Sequence, residues 1–257
     1  MLNYLKSEIY RIRRSKGIYV LIGGAMALMF AMNLVLWLFH TYAEYFPYGT
    51  TKFSFSMLST GMQTVLCLTV LASIIVFGDE FKHRTISNGI SFGCSKTMIF
   101  LCKWLITLLV CAIGLVLVVG TLIGSGLLLL ENSGIEAIKN VLRAVVACIP
   151  LLIAGVTGAL ALIFLFRNEM TAVWVWLGIF VGSSMVVSLL GMKIELFSYL
   201  NQWLVFSIAG DLRLDQVAGT WSMVWDTKEG FVRTIFAGIL GTLVFLVIGC
   251  IGTKKEK

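Results

Sequence analysis

Charged and titratable side chains cluster in one stretch, from Phe77 to Trp104, between two long apolar runs. The stretch carries the residue types that transfer protons or bind charged partners, namely Asp79, Glu80, Lys82, His83, Arg84, Lys96 and Lys103. The chain is 59% hydrophobic and 13% charged, so a polar stretch of this kind predicts a membrane-flanking loop, a contact surface, or both.

Catalytic constellations are hard to find elsewhere. No Walker A or HExxH pattern occurs, and no apolar run contains paired carboxylates. His40 and His83 fall on opposite sides of the predicted membrane, so they cannot share a site. The six cysteines form no CxxC pair, which argues against a metal site or a disulfide framework. We therefore expect no enzyme activity, metal or cofactor in this chain.

The composition indicates an integral membrane protein, because soluble domains are about 45–50% apolar and about 25% charged. The mean hydropathy is +0.96. Six apolar runs approach or exceed the roughly 20 residues that a spanning helix needs: Ile18–Phe39, Met57–Gly78, Met98–Leu130, Val141–Phe166, Thr171–Leu190 and Phe231–Gly252. We predict one all-α transmembrane domain over residues 1–257, with six transmembrane helices.

Residues 1–17 predict an interfacial elbow helix. Leu2, Leu5, Ile9 and Ile12 are spaced as one apolar stripe on a helix. Basic residues accompany the stripe and are expected at the membrane interface, where anionic lipid favours them: Arg11, Arg13, Arg14 and Lys16. A solvated basic tail is the alternative interpretation.

The third apolar run is too long for the membrane. Its 33 residues would form a helix of about 50 Å, against a hydrocarbon core of about 30 Å. We expect Lys103 to snorkel and Trp104 to lie at headgroup level. The turns from Ser95 to Cys102 would then stand in the cytoplasm, with Ser95 as the N-cap of the helix.

The segment 191–230 between the last two runs is rich in apolar and aromatic residues, including Trp203, Trp221 and Trp225. It is too interrupted for a full span, so we predict a re-entrant or interfacial helical segment on the outer side. A seventh span is the alternative, and it would place the C-terminal lysines outside.

Lysine and arginine counts predict cytoplasmic N- and C-termini. With both ends inside, the inner segments hold 13 of the 20 basic residues and the outer segments hold 7. Because these residues lie at the ends of apolar runs, the net charge of +7 reflects topology and does not indicate nucleic-acid binding.

Small residues four positions apart let helices approach closely. Gly120 with Gly124 and Ala154 with Gly158 are expected to pack within one subunit. Four others are candidates for a dimer interface, although packing within one subunit is the alternative for any pair: Gly23, Ala27, Gly178 and Gly182.

The polar stretch resembles one family. Gly78-Asp79-Glu80-Phe81, Arg84-Thr85, Ser95-Lys96 and Lys103 lie between the second and third spans. This order resembles the permease subunits of ABC-2-type ABC transporters, and looks most like small bacterial permeases for bacitracin or lantibiotic self-protection and related drug export. One departure is Lys96, where such permeases often carry Arg.

The resemblance implies that residues 79–97 form a cytoplasmic coupling segment that docks on a separate ABC ATPase. The coupling residues would be Glu80, Phe81, Arg84, Thr85, Ser95, Lys96 and Lys103. It further implies ATP and magnesium on the partner ATPase, a second permease chain contacting the first and fifth spans, and a location in the bacterial cytoplasmic membrane.

The function that we predict is export of an antimicrobial peptide or amphipathic drug. An ATPase-independent channel or secondary carrier is the rival, and the lack of charged residues near the bilayer centre argues against it. A membrane enzyme acting on lipid is a third interpretation, opposed by the absence of clustered nucleophiles, bases or metal ligands.

Overall fold

The computed structural model describes residues 2–42, 46–82, 95–211, 215–217, 220–222 and 224–254, with backbone alone at 2–3, 78–82, 215–217, 220–222, 224 and 254. Its helices are α1 Leu2–Arg13, α2 Lys16–Tyr42, α3 Thr51–Thr60, α4 Met62–Lys82, α5 Lys96–Leu129, α6 Ile135–Phe166, α7 Glu169–Leu177, α8 Ser183–Gly191, α9 Glu195–Asn201, α10 Val205–Asp211 and α11 Lys228–Lys254. A π-helical turn, Gly178–Gly182, joins α7 to α8.

Before α11, the described residues include two short antiparallel strands, β1 Asp215–Val217 and β2 Thr220–Ser222, and a 3-10 turn, Val224–Asp226. This small sheet was not anticipated from the sequence. It leaves the class unchanged, and the prediction of an all-α integral membrane protein is confirmed.

Five helical segments in the described chain are long and apolar enough to cross a membrane, namely α2, α5, α6, α7–α8 and α11. The second predicted span departs from expectation because α3 and α4 meet at a bend of 58°. If this bent pair is one span, the structure has the six that the sequence predicts.

The break between α3 and α4 has local causes. The Thr50 hydroxyl accepts a hydrogen bond from the Phe53 amide and caps α3 at its start. Gly61 follows the last turn of α3, and its amide bonds to the Met57 carbonyl. The helical chain therefore begins before Met57, and the apolar run alone does not mark its start.

Helix α6 forms the centre of the molecule. In an apolar stretch of 18 residues, 72% of α6 is buried, against 11–28% for the same length of the other candidate spans. Small residues allow α11 to lie close beside it. An added Cβ at Gly238 would lie 2.5 Å from the Pro150 Cβ, and one at Gly241 would lie 3.2 Å from the Ala154 Cβ. Gly158 faces Phe180 and Phe245, so Ala154 and Gly158 pack internally, as expected. Gly120 and Gly124 are exposed, and an added Cβ at either would meet no atom within 4 Å, so the expected internal packing of that pair is wrong.

Helix α1 and the last turns of α11 lie at the same end of the helical bundle, here called the α1 end. The Thr97 and Thr253 hydroxyls are 3.1 Å apart, so the last turns of α11 adjoin the start of α5. Helix α1 contacts the same turns of α5 through Lys103. At the opposite, far end, the Thr51 amide donates to the Glu131 carbonyl.

The segment 191–230 contains two seven-residue helices, α9 and α10. The Gln63 amide donates to the Phe206 carbonyl at 3.0 Å, which fixes α10 against the start of α4. The described part of 191–230 has no helix of spanning length, so a seventh span is not formed there. Entry of α9 and α10 into the membrane stays a prediction.

Candidate coupling site

A buried ion pair joins α1 to α5. The Lys103 ammonium lies 2.6 Å from the Glu8 carboxylate. Lys103 has no exposed surface, and Glu8 is 6% exposed. Burial requires each of these charges to have a partner, since an isolated ion inside an apolar medium is very costly.

Arg11 extends this contact to α4. Its guanidinium lies 2.9 Å from the Glu8 carboxylate and donates a 2.7 Å hydrogen bond to the Val76 carbonyl. The Lys103 ammonium is also 5.5 Å from the centre of the Phe77 ring, within the range of a cation–π contact. We call Glu8, Arg11, Val76, Phe77 and Lys103 the three-helix joint.

Apolar packing shields the joint from solvent. Ile18, Val76, Ile106 and Val110 form a buried cluster beside it, against which Leu5 and Ile12 of α1 also pack. The low effective dielectric constant strengthens the attraction between Glu8 and its two cations. Leu5 and Ile12 of the apolar stripe therefore pack on the bundle, whereas Ile9 is exposed, and the alternative of a solvated basic tail is wrong.

The expected snorkelling of Lys103 is wrong. The Lys103 ammonium pairs with Glu8 inside the protein, so the side chain does not extend toward the headgroups. Trp104 also points inward, and its indole N–H donates to the Thr157 hydroxyl at 2.8 Å. Sequence reasoning missed Glu8, whose signal is a lone acid on a basic helix, three residues before Arg11.

The first turns of α5 pack against other helices, and their location in the cytoplasm stays a prediction. Ile99 and Phe100 have no exposed surface, and the Phe100 ring packs edge-on against Phe164 at 5.1 Å. A Cβ at Gly249 would overlap the Phe100 ring, so glycine there lets α11 close over it. These turns are held between α6 and α11.

The expected N-cap of α5 is present. The Ser95 hydroxyl accepts a 3.2 Å hydrogen bond from the Met98 amide, satisfying one free donor of the first turn. Lys96 begins the helix and is half-buried.

The remaining coupling candidates lie beyond the end of the joint. Helix α4 continues to Lys82, so Glu80 and Phe81 occupy its last turn, where the structure gives the backbone alone. Arg84 and Thr85 lie outside the described residues. Within the described chain, no group of three His, Cys, Asp or Glu side chains is placed to hold a metal ion.

Comparison with known families assigns the chain. A family model described as "ABC-2 family transporter protein" matches residues 4–185, a region that includes every residue of the three-helix joint. The chain belongs to the ABC-2 transporter family. It is therefore a multi-pass membrane permease of an ABC transporter, and a transport subunit in itself. A search of curated proteins found no match.

The structure divides the predicted interfacial residues of the permease into two groups. Arg11 is engaged by Glu8 and Val76 within the protein. Arg13, Arg14 and Lys16 are exposed, and the Arg14 guanidinium lies 4.5 Å from the centre of the Tyr10 ring. The charges of the second group are the more exposed, and their contact with lipid headgroups stays a prediction.

The candidate dimer residues of the permease face outward, except Gly182, which is half-buried. Gly23, Ala27 and Gly178 are exposed, and an added Cβ at Gly23 or Gly178 would meet no atom within 4 Å. Gly178 and Gly182 bound the π-helical turn. Gly23 and Gly178 thus leave open space beside their backbones, and the role of the four residues between subunits stays a prediction.

A second polar contact fastens α2 to α5 near the far end. The buried Asn33 amide donates to the Leu122 carbonyl at 3.0 Å and to the Ser125 hydroxyl at 2.7 Å. Its oxygen accepts from the Ser54 hydroxyl of α3. All the hydrogen-bonding atoms of the Asn33 side chain are thus occupied, which suits a structural role in a membrane.

Proposed function

We propose that the permease is the membrane subunit of an ATP-driven exporter, and that a separate ABC ATPase docks on residues 79–97. The observation that carries this proposal is the three-helix joint. It lies immediately before the coupling segment along α4, and it connects that helix to α1 and α5 through ionic and hydrogen-bonded contacts.

Motion would enter at the end of α4. Glu80, Phe81, Arg84 and Thr85 would contact the ATPase, and Glu80 is only three residues beyond Phe77. A displacement of this last turn would act on Arg11 through the Val76 carbonyl and on Lys103 through the Phe77 ring. Ser95, Lys96 and Lys103 would carry the motion into α5. ATP and magnesium would bind the partner ATPase.

The proposed assembly contains two permease chains and two ATPases in a bacterial cytoplasmic membrane. The α1 end would face the cytoplasm, because the excess of Lys and Arg lies there. Gly23 and Ala27 of α2, with Gly178 and Gly182 at the π-helical turn, would form the contact between permease chains. The outward position of Gly23, Ala27 and Gly178 supports this arrangement.

The proposed cargo is an amphipathic molecule such as an antimicrobial peptide or drug, as in bacitracin or lantibiotic self-protection. Support comes from an aromatic group at the far end. Trp203 packs edge-on against Phe236 at 5.8 Å, and Trp225 packs against Phe231 at 4.7 Å. Indole rings of this kind favour ligands that lie in the membrane interface.

Substitution at the end of α4 tests the coupling. We expect the double variant Glu80→Ala/Arg84→Ala to remove cargo-stimulated ATP hydrolysis in reconstituted membranes, because the docking contacts are lost while the folded permease is retained. Lys139→Ala at the far end is the control and should leave stimulation unchanged. Equal stimulation in the double variant and the control would contradict the assignment.

The same preparation tests the rival carrier. We expect a second polypeptide with a Walker A loop to co-purify with the permease in mild detergent. Transport that persists in vesicles made from the permease alone, without nucleotide, would favour the ATPase-independent carrier instead.

A further inference from the structure

A groove of about 500 Å³ opens on the membrane-facing surface between α1, the first turns of α2, and α5. Its lining is apolar apart from Arg13 and the hydroxyl of Tyr19. The side chains that line it along α5 are exposed within the subunit: Leu109 is 54% exposed, Ile113 is 50% exposed and Leu117 is 43% exposed.

The groove has the length of one membrane leaflet. It follows α5 from Ile106 to Leu117, which is roughly 17 Å at 1.5 Å per residue. Half of a hydrocarbon core of about 30 Å is about 15 Å. Ile106 packs in the same cluster as Ile12 of α1, so the groove runs from the α1 end toward the middle of the bilayer.

A cation without a counter-ion stands at the mouth of the groove. Arg13 is exposed, and no carboxylate in the described part of the chain pairs with it. Its backbone is held in place, because the Tyr19 hydroxyl donates to the Arg13 carbonyl at 2.9 Å. Glu8, the only acid on α1, is already shared by Lys103 and Arg11, so the positive charge at the mouth is not neutralised.

We propose that this groove binds a phospholipid with an anionic headgroup. One acyl chain lies along Leu109, Ile113 and Leu117, and the headgroup phosphate pairs with the Arg13 guanidinium. This combination of a cation at headgroup level and an apolar channel one leaflet long matches the two parts of such a lipid. The proposal requires that the chain lies in a membrane, and it is independent of the ATPase partner.

A second copy of the chain fits the groove less well. Apart from Glu8, the helices α1, α2 and α5 contain no acidic residue. A copy approaching through the same faces therefore has no free carboxylate for Arg13. Gly23 lies at the edge shared by the groove and the proposed dimer face, whereas Ala27 does not line the groove, so a lipid would lie beside that contact.

Lipid retention tests the proposal. The permease is reconstituted in bilayers of phosphatidylglycerol and phosphatidylcholine, released from them, and the bound lipids are counted by native mass spectrometry. We expect preferential retention of phosphatidylglycerol, lowered about fivefold in Arg13→Gln, the effect expected when one arginine no longer contacts an anionic headgroup. Arg14→Gln, which removes a neighbouring exposed arginine outside the groove, is the matched control.

Two further measurements locate the lipid. Phosphatidylglycerol with a photoreactive group on its acyl chain should cross-link to residues 106–117, and Ile113→Trp should block that cross-link by filling the groove. Equal lipid loss in Arg13→Gln and Arg14→Gln would overturn the proposal in favour of general surface attraction. A disulfide between two copies carrying Leu109→Cys would overturn it in favour of a subunit contact.

Discussion

Glu8 and Lys103 connect two helices that are distant in sequence, at 95 residues of separation. Each is buried, and each depends on the other for charge compensation. A buried ion pair adds modest net stability because desolvation opposes the Coulomb attraction, but removing one partner leaves an uncompensated charge. The pair therefore specifies how α1 is placed more than it strengthens the fold.

Removal of the carboxylate charge tests this view. In Glu8→Gln, Lys103 and Arg11 face each other without an anion, and we expect a loss of about 3–5 kcal/mol in unfolding free energy. The double variant Glu8→Gln/Lys103→Met should recover most of it. The measurement is unfolding of the purified permease in detergent with increasing denaturant.

The matched control breaks an exposed pair. Glu136 and Lys139 are 3.0 Å apart with side chains 71% and 53% exposed, and such pairs contribute about 0–1 kcal/mol. If Glu8→Gln costs no more than Glu136→Gln, the joint does not hold α1 as described.

At the three-helix joint, the importance of Lys103 and Arg11 could be predicted from the sequence, but their partners could not. Ser95 was identified as a cap from its position before an apolar helix, because capping is a local interaction. The burial of Lys103 depends on its ion pair with Glu8. No local sequence pattern shows which distant side chain a residue on a helix contacts. The hydrogen bond from Arg11 to the Val76 carbonyl was not predictable for the same reason, because it joins residues that are distant in sequence.

At the scale of elements, α6 and α11 approach closely because glycine and alanine line their contact. Gly238 faces Pro150 in the middle of α6, with atoms closer than a Cβ could tolerate. Tight contacts of this kind are the main source of helix association in membranes, since lipid is as apolar as the side chains.

A pair of glycine substitutions measures this contact. Gly238→Ala should destabilise the permease by about 1–3 kcal/mol, as expected for overpacking. Gly124→Ala should cause no loss, because its added Cβ meets no atom within 4 Å. Thermal unfolding of both variants in detergent gives the comparison, and equal midpoints would contradict a close α6–α11 contact.

The helical spans were predictable because long apolar runs in a membrane must satisfy their backbone groups as helices. The bend of 58° between α3 and α4 was not predictable. Helix α3 begins at Thr51, before the start of the apolar run, so the run alone does not show that two helices meet there. Two other features could not be predicted from the apolar runs. The burial of Phe100 depends on Gly249, and the π-helical turn at Gly178–Gly182 carries no periodic signal.

At the scale of the whole molecule, α1, the start of α5 and the end of α11 meet at one end of the bundle. The positive-inside count predicts that this end faces the cytoplasm. The contacts between α3 and Glu131, together with the aromatic group near Trp203, would then belong to the outer face.

Cysteine labelling tests this orientation. Ser7→Cys lies on the exposed face of α1, and Lys139→Cys lies at the far end on an exposed position of α6. In intact cells, a membrane-impermeant maleimide should modify Lys139→Cys above the level of the parent chain and leave Ser7→Cys unmodified until the membrane is opened. The reverse pattern would invert the orientation.

Two points of attachment make α2 and α5 act together. Lys103 ties the base of α5 to α1, which leads directly into α2, and Ser125 ties it to Asn33 roughly 33 Å further along at 1.5 Å per residue. A helix of 34 residues that is attached at both points is expected to move as one rigid element. A tilt of about 5° at its base would move its opposite tip by roughly 4 Å over a length of about 51 Å. A small rotation near the proposed coupling segment would thus produce a displacement as large as a methyl group at the other face of the membrane.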